Sequence, residues 1–561
     1  MEKRNDIVFI SFDAPRTGYP SIPYGIACLI AAIRKNGYIA SHYSINTLSI
    51  RSEREYLSEY VGPTKITSKE FEEYQKDICS LIKKEIVNIL PWLKTFRYVA
   101  FTYTRWSELF CKTVAEVLWC EGLVKKSISE GVGIIFGGYE ITACDEKKLA
   151  TLEMAHYFTK GYAEKSYLKI LTGEDGRKIE GGKPYHRIFD EKISEQDIVS
   201  PYLSHIIPIL SRKIYWETKR GCPYCCGFCE WGAQKKDEKN EIIELNWETR
   251  LVKELRLFKK SGVEEINILD GTFCFSKTKQ HIKILEYIFK KTNINVVCQA
   301  RFEALKPDFL DLCASNKERI HLEFGLQTIH KKECETIGRN NHSLETTSNW
   351  MKILKEKKIS YEVSLIYAIP GQTMYSFIDS IEYLLINGCK KIRAYPLQIP
   401  ANNSKLAEMD GYATDYTKPD EKIPSVVVSQ TFNEQGRKDM DALARRLEID
   451  SKYDNIYCSN HNKLDISILQ KKTEYQFLVN KELVNSLEKS DGEKLIYLIY
   501  RYYNSSDKIT YDFSKSKDIP FGTPTKKITK FLSTHQDCII TMGKSGNFYI
   551  INNKNFVNTN R

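Results

Sequence analysis

Apolar and polar positions along the chain fall into two alternating series, after which the alternation is lost. "DIVFIS" (6–11) is a short apolar run of the kind buried as a strand. In "GIACLIAAIRKNG" (25–37) the apolar positions recur every three to four residues, predicting a helix that stops at Gly37. "YIASHYS" (38–44), "YVAFTY" (98–103), "VGIIF" (132–136) and "AHYFTKG" (155–161) predict further strands with helical stretches between them. Five βα units of this kind predict a doubly wound, Rossmann-like parallel sheet over 1–172. The glycine- and charge-rich "LTGEDGRKIEGGKP" (171–184) breaks the pattern, and 173–204, closing on "SPYL" at 200–203, reads as a linker.

A second series follows, with strands predicted at "IYWETK" (214–219), "EINILD" (265–270), "INVVCQA" (294–300), "IHLEFG" (320–325), "YEVSLIYA" (361–368) and "KIRAYPL" (391–397). Helix-like segments separate them, so 205–405 predicts a partial (βα)6 barrel of the TIM type. Beyond that the repeat ends. Residues 406–561 predict a small α+β domain, a candidate for holding substrate, with a helix over 491–504 and a hairpin over 538–552 turning at Gly543 to Gly546. The fold class is therefore α/β, with the Rossmann-like sheet first, the barrel second and the α+β piece last.

Composition narrows the function without naming it. With 561 residues, 42% of them hydrophobic and 28% charged, the chain is a multi-domain globular protein with no case for disorder. The longest apolar run, "YGIACLIAAI" (24–33), is about half a membrane span. The start "MEKRNDIVFI" passes from charge straight into a strand with no signal peptide, so a cytoplasmic protein without membrane contact is expected. The net charge of +11 is spread along the chain; Lys526, Lys527 and Lys530 read as a solvated face, and nucleic acid is not an expected partner. Sixteen cysteines in such a chain are thiols or metal ligands rather than disulfides, and the scattered ones, such as Cys28, Cys298 and Cys389, sit in apolar runs as core residues.

Four cysteines crowd into "RGCPYCCGFCEWG" (220–232), just after the first strand of the barrel series, where barrels carry out chemistry. Cys222, Cys226 and Cys229 have the spacing C-x3-C-x2-C. Three thiolates can hold three irons of a cubane and leave the fourth open to substrate, whereas a closed electron-transfer cluster needs four ligands. A structural zinc site calls for a second ligand pair downstream, and none is visible. A ferredoxin run C-x2-C-x2-C starting at Cys222 and Cys225 needs cysteine at position 228, which is Phe228. Cys225 is the odd one out.

This motif, with an aromatic residue before its last cysteine, resembles the signature of radical S-adenosylmethionine (SAM) enzymes. The wider "ETKRGCPYCCGFCEWG" is similar to the branch of that superfamily with an N-terminal cobalamin-binding domain. "PYGIACLIAAIRKNGY", "IIFGGYEITA", "KGYAEKSYLKIL", "SPYL", "LEFGLQTI" and "IYAIPGQTMYSFIDSIEYLLINGCKKIRAYPL" agree with it in order and spacing over roughly 5–405. The resemblance implies a [4Fe-4S] cluster on Cys222, Cys226 and Cys229, SAM chelated at the open iron, bound cobalamin, and an external reductase of the flavodoxin or ferredoxin type.

It also implies which residues meet these groups. Phe228 lies beside the cluster; Asp270, Gly271, Thr272 and Phe273 follow the second barrel strand, where the family has a small-residue loop for the SAM amino group. Gln299 and Arg301 end the third strand, Glu323 and Gln327 flank the fourth, and Ile369, Pro370 and Gly371 follow the fifth. Arg301 and Arg339 are alternative partners for the SAM carboxylate, and structural ion pairing explains either equally well. For cobalamin the candidates are Gly137, Gly138 and Tyr139 after one strand and Gly161 and Glu164 after the next, with Tyr162 and Ala163 departing from the family's common form. An ordinary tight turn is the plain alternative for each. Arg105, Trp106 and Glu108 are further candidates to face a ligand, or an unremarkable helix start. None of the ten histidines stands in a D-x-H-x-x-G context, so no such histidine is expected to ligate cobalt.

Three functions follow from these readings. The first is a cobalamin-dependent C-methyltransferase acting on an unactivated carbon of a small molecule or peptide. The second is a radical SAM oxidation, cyclisation or rearrangement without methyl transfer. The third is a non-catalytic iron–sulfur binding protein. A tRNA methylthiotransferase needs a second cluster, for which Cys28, Cys79, Cys111, Cys120 and Cys144 show no ligand context.

Overall fold

The computed structural model describes residues 5–13, 22–46, 68–104, 107–230, 242–341, 343–389, 391–399, 413–416 and 424–452, with short strands beyond. These residues divide into two compact units, one running to Gln299 and the other beginning at Ala300. Among them no helix is long and apolar enough to cross a membrane. Arg105 and Trp106, and the basic cluster at Lys526, Lys527 and Lys530, lie outside the described residues.

The first unit opens with a seven-stranded sheet in the order β2-β1-β3-β4-β5-β7-β6. Its strands are β1 (Asn5–Asp13), β2 (Ala40–Asn46), β3 (Phe96–Thr102), β4 (Gly133–Gly137), β5 (Tyr157–Thr159), β6 (Arg177–Lys178) and β7 (Arg187–Phe189). All pair in parallel except β6, which runs antiparallel on the edge. Strands covered on both faces need continuous apolar runs. Val8, Ile10, Val99, Phe101, Ile134, Phe136 and Phe158 accordingly fill one core. The helix Tyr24–Lys35 buries Ile26, Ala27, Cys28, Ile30 and Ile33 and ends before Gly37, whose φ of +85° only glycine adopts cheaply.

Residues 177–189, expected within a linker, instead supply β6 and β7 and lengthen the sheet. Their apolar content is too short to register as a periodic pattern, yet Ile188 and Phe189 are buried.

The same unit carries β8 (Lys213–Trp216), β9 (Lys219–Arg220), β10 (Ile243–Glu244), β11 (Glu265–Ile268) and β12 (Asn295–Ala300). β11 lies between β8 and β12 and is parallel to both, while β9 and β10 form a separate antiparallel pair. In the second unit β13 (Ile320–Gln327), β14 (Ser360–Tyr367) and β15 (Ile392–Pro396) run parallel in that order. The six strands expected of the barrel series are thus all present, three in each unit, with helices between them.

Further on, the helix Glu434–Lys452 packs on β14 and β15, and Asp441 accepts a 2.6 Å hydrogen bond from the Tyr367 hydroxyl. The helix expected over 491–504 falls outside the described residues apart from Arg501–Tyr502, which are strand and pair with Tyr475–Leu478. The two arms expected to form one hairpin are both strands, but Thr541–Gly543 pairs with Lys508–Thr510 and Phe548–Tyr549 with Tyr475–Leu478.

Candidate functional site

The cysteine loop leaves the carboxyl end of β8 through the short strand β9 and a glycine, Gly221, at φ +88°. Cys222 and Cys226 are buried, Cys229 is half-buried, and Cys225 is exposed; none of the four is in a disulfide. Phe228 is half-buried between them. The Cys229 amide donates to the Cys226 carbonyl at 3.1 Å, and the Cys222 sulfur lies 3.6 Å from the Thr272 hydroxyl. Among the described residues no three His, Cys, Asp or Glu side chains converge as the ligands of a single ion would. In a cubane each thiolate takes a separate iron, so its three ligands splay. Three thiols outside any disulfide, at C-x3-C-x2-C spacing and less exposed than the fourth, fit that donor set.

Three consecutive residues before the loop anchor it. Thr218 donates to Asp270 from its backbone at 2.8 Å and from its hydroxyl at 2.5 Å. The Lys219 ammonium, 3% exposed, donates to the carbonyls of Thr272 at 2.6 Å, Phe273 at 3.2 Å and Phe275. Arg220 is bound by Glu217 and Glu164. Burial lowers the Lys219 pKa and pushes Asp270 up to about 6, each opposed by the other's charge. The loop Asp270–Phe273 is therefore built into the cysteine loop's support, with Asp270 and Thr272 fully buried and Gly271 half-buried. Gln299 is exposed, and its carbonyl accepts from the Phe273 amide at 2.8 Å.

The turns after β4 and β5 reach the same place. Gly138 has φ +105°, and a Cβ on Gly137 would stand 2.4 Å from the Thr159 hydroxyl, so both positions require glycine. Tyr139 is half-buried, and burial, then the charges of Glu230 and Cys229, raise its pKa; Thr142, on the same short helix, accepts the Gly161 amide at 3.1 Å. Glu230 is itself pushed up to about 7 by burial and by Glu140. Gly161 has φ +63° with open space about it. Glu164, expected to meet a ligand, is 2% exposed and bound to Arg220. Tyr162, the departure from the family form, accepts a hydrogen bond from the Gly221 amide at 2.8 Å.

In the second unit Arg301 and Arg339 come together around one carboxylate. Arg301 donates to Glu303 at 2.9 Å and to the Asn340 carbonyl at 2.8 Å. Arg339 lies 4.0 Å from Glu303 and donates to Asn341 at 2.8 Å and to the Gly325 carbonyl. Glu323 is half-buried, its pKa raised by burial and by Glu362. Gln327 and Ala368, both non-glycine residues with positive φ (73° and 60°), close the carboxyl ends of the neighbouring strands β13 and β14. Such strain gathers at functional sites. The turn Ile369–Pro370–Gly371 is held by Gln372, which reaches the Ile369 amide at 3.3 Å and Glu333 at 3.0 Å.

Residues 216–384 match the family described as the radical SAM superfamily. The chain carries a radical SAM domain. Among curated proteins it is 25% identical over 220 residues to the cobalamin-dependent radical SAM methyltransferase TokK of Streptomyces tokunonensis, covering 36% of this chain and 30% of that one. It is 26% identical over 193 residues to the 2-(S-pantetheinyl)-carbapenam-3-carboxylate methyltransferase of Streptantibioticus cattleyicolor, covering 33% and 28%. The match thus spans less than a third of either relative's length. Among solved structures, the cobalamin-dependent radical SAM enzyme OxsB with aqua-cobalamin and SAM bound aligns at TM-score 0.57 and 14% identity, over 95% of this chain and 75% of that one. TsrM from Kitasatospora setae with cobalamin and a [4Fe-4S] cluster bound aligns at 0.51 and 13%, over 78% and 91%. These likenesses show the fold, a Rossmann-like parallel sheet followed by a radical SAM barrel.

The anchors Thr218, Lys219 and Arg220 and the pair Tyr162–Glu164 were not among the expected site residues in these roles. Their signal is "ETKR" (217–220), four polar or charged residues in a strand-like run beside a buried loop, where each buried charge needs a partner.

Proposed function

We propose that the protein is a radical SAM enzyme with a [4Fe-4S] cluster on Cys222, Cys226 and Cys229, and that it is a cobalamin-dependent C-methyltransferase acting on an unactivated carbon. The observation that carries this reading is the meeting of the cysteine loop with the turn after β5, through Arg220 on Glu164 and Gly221 on Tyr162. Bound there, the cluster with SAM supplies a 5′-deoxyadenosyl radical, and methylcobalamin supplies the methyl group. The chain's own part is to hold and enclose these groups. Cys222 and Cys226 sit in buried surroundings that exclude water from two of the three corners, and Lys219 and Asp270 hold the adjoining loop shut behind them. Gly137 and Gly138 let the end of β4 pack closely on Thr159 and Tyr103, which fixes the turn at the strand end where the macrocycle is proposed to lie.

Phe228, Asp270, Gly271, Thr272, Gln299, Glu323, Gln327, Pro370 and Gly371 remain the proposed surroundings of SAM. Of the two arginines, each already shares Glu303, so the SAM carboxylate competes with that pairing. The proposed substrate is a small molecule or peptide, and the proposed electron donor a flavodoxin or ferredoxin.

The test is product analysis of anaerobically reconstituted protein given SAM, cobalamin, a reductant and candidate substrates. Methyl transfer yields S-adenosylhomocysteine together with 5′-deoxyadenosine. Formation of 5′-deoxyadenosine alone moves the reading to a radical reaction without methyl transfer, and formation of neither refutes SAM cleavage.

A further inference from the structure

Arg220 stands two residues before Cys222, and its guanidinium is shared among three partners on two parts of the first unit. Its Nε donates to both oxygens of Glu217, at 3.0 and 3.1 Å, and its Nη1 to Glu164 at 2.5 Å. Its plane lies over the Tyr162 ring, 5.0 Å from the centroid, and the hydroxyl of that ring accepts the Gly221 amide. Glu164 and Tyr162 belong to the turn after β5; Arg220 and Gly221 begin the cysteine loop, 56 and 59 residues away along the chain. The side chains of Arg220, Glu164 and Glu217 are 5%, 3% and 8% exposed, so the contact is out of water.

Such a cluster is a poor way to gain stability. Desolvating two carboxylates and one guanidinium costs about as much as their attraction returns, and apolar residues of similar size do as well. What the ions provide is direction: the planar fork of arginine fixes two carboxylates in angle as well as distance, and stacking on Tyr162 fixes its plane. The Gly221 hydrogen bond then carries that fixed position into the first residue of the loop.

We propose that Glu164, Glu217, Arg220 and Tyr162 are positioning residues, a brace that registers the cysteine loop against the turn after β5. The spacing between the cluster and a ligand lying over the β4 and β5 turns is then set by this contact. The proposal rests on the cluster assignment above, and the experiment separates the two.

Full-length wild type, Glu164→Gln and Tyr162→Phe proteins are compared anaerobically by hydrogen–deuterium exchange, iron content and the midpoint potential of the reconstituted cluster followed by electron paramagnetic resonance. Both substitutions keep the side chain's shape. The brace predicts exchange about tenfold faster over 218–224 with β1–β4 unchanged, since one fixed hydrogen bond or ion pair is lost. It also predicts wild-type iron content with a shifted midpoint potential and an altered resonance spectrum. Exchange and potential both equal to wild type overturn the brace. Faster exchange with an unmoved potential reduces it to a fold contact and overturns the positioning role. Absence of iron from reconstituted wild type overturns the cluster assignment instead, and exchange over 218–224 still decides whether Glu164 and Tyr162 hold the loop.

Discussion

At the residue scale the four cysteines of the loop differ in burial, and the proposed ligands are the three less exposed ones. Cys222 and Cys226 are buried and Cys229 is half-buried, with the Cys229 amide on the Cys226 carbonyl, whereas Cys225 is exposed. A thiolate that binds iron must stay where the loop puts it, which favours the buried positions over the exposed one. Replacing Cys226 with alanine therefore removes iron from reconstituted protein and lowers 5′-deoxyadenosine formation by about a hundredfold or more, since a lost ligand removes the cluster rather than weakening it. Cys225→Ala retains iron and SAM cleavage within about twofold of wild type. Iron analysis with product chromatography checks both, and an iron-replete, active Cys226→Ala protein contradicts the ligand assignment. The scattered thiols behave as core instead: burial pushes Cys28 and Cys389 up to about 12, keeping them neutral and inert.

At the scale of elements, the far edge of the first sheet holds a titration that the cysteine loop does not. His156, entering β5, is fully buried, accepts the Ile134 amide at 3.1 Å through Nδ1, bonds the Lys125 carbonyl at 2.8 Å through Nε2 and stacks on Trp119. Burial lowers its pKa from 6.5 to about 4, and burial lowers that of His186 as well. A histidine depressed in the folded state is protonated first in the unfolded chain, so its stabilisation is complete above about pH 6.5 and is lost as pH falls towards 4. The shift corresponds to a loss on the order of 3 kcal/mol from His156. Thermal melting between pH 7 and pH 4.5 checks this: His156→Gln, which cannot titrate, has a shallower pH dependence than wild type. An equal slope contradicts the assignment.

The same elements show what was legible in the sequence. Strands such as β3 and β4 were readable because central parallel strands covered on both faces must be apolar throughout, as in "VGIIF", whereas β11, β12 and β13 were readable from alternating buried and more exposed positions, as in "EINI". β6 and β7 were not, because an edge pair of two and three residues carries too little pattern to separate from a turn. Gly138 was readable as a turn glycine from its doublet, and its φ of +105° is that of such a turn. Glu164 was readable as important but not as an ion-pair partner, because its partner Arg220 lies 56 residues away and only the fold brings them together.

For the whole molecule, the contacts of Arg220 and Gly221 set the cysteine loop of the barrel series against the turn after β5, within one compact unit. Open parallel sheets bind their ligands at those strand ends. On the proposed reading, the loop that would hold iron lies against the turn after β5, near the strand ends where the sheet would hold a macrocycle, and methyl transfer between them requires that nearness. The measurement that tests this most directly is mass-spectrometric quantification of cobalamin released from protein purified without oxygen from cells supplied with the vitamin. The account predicts close to one equivalent per chain. Protein that carries its cluster and cleaves SAM but releases no cobalamin contradicts it.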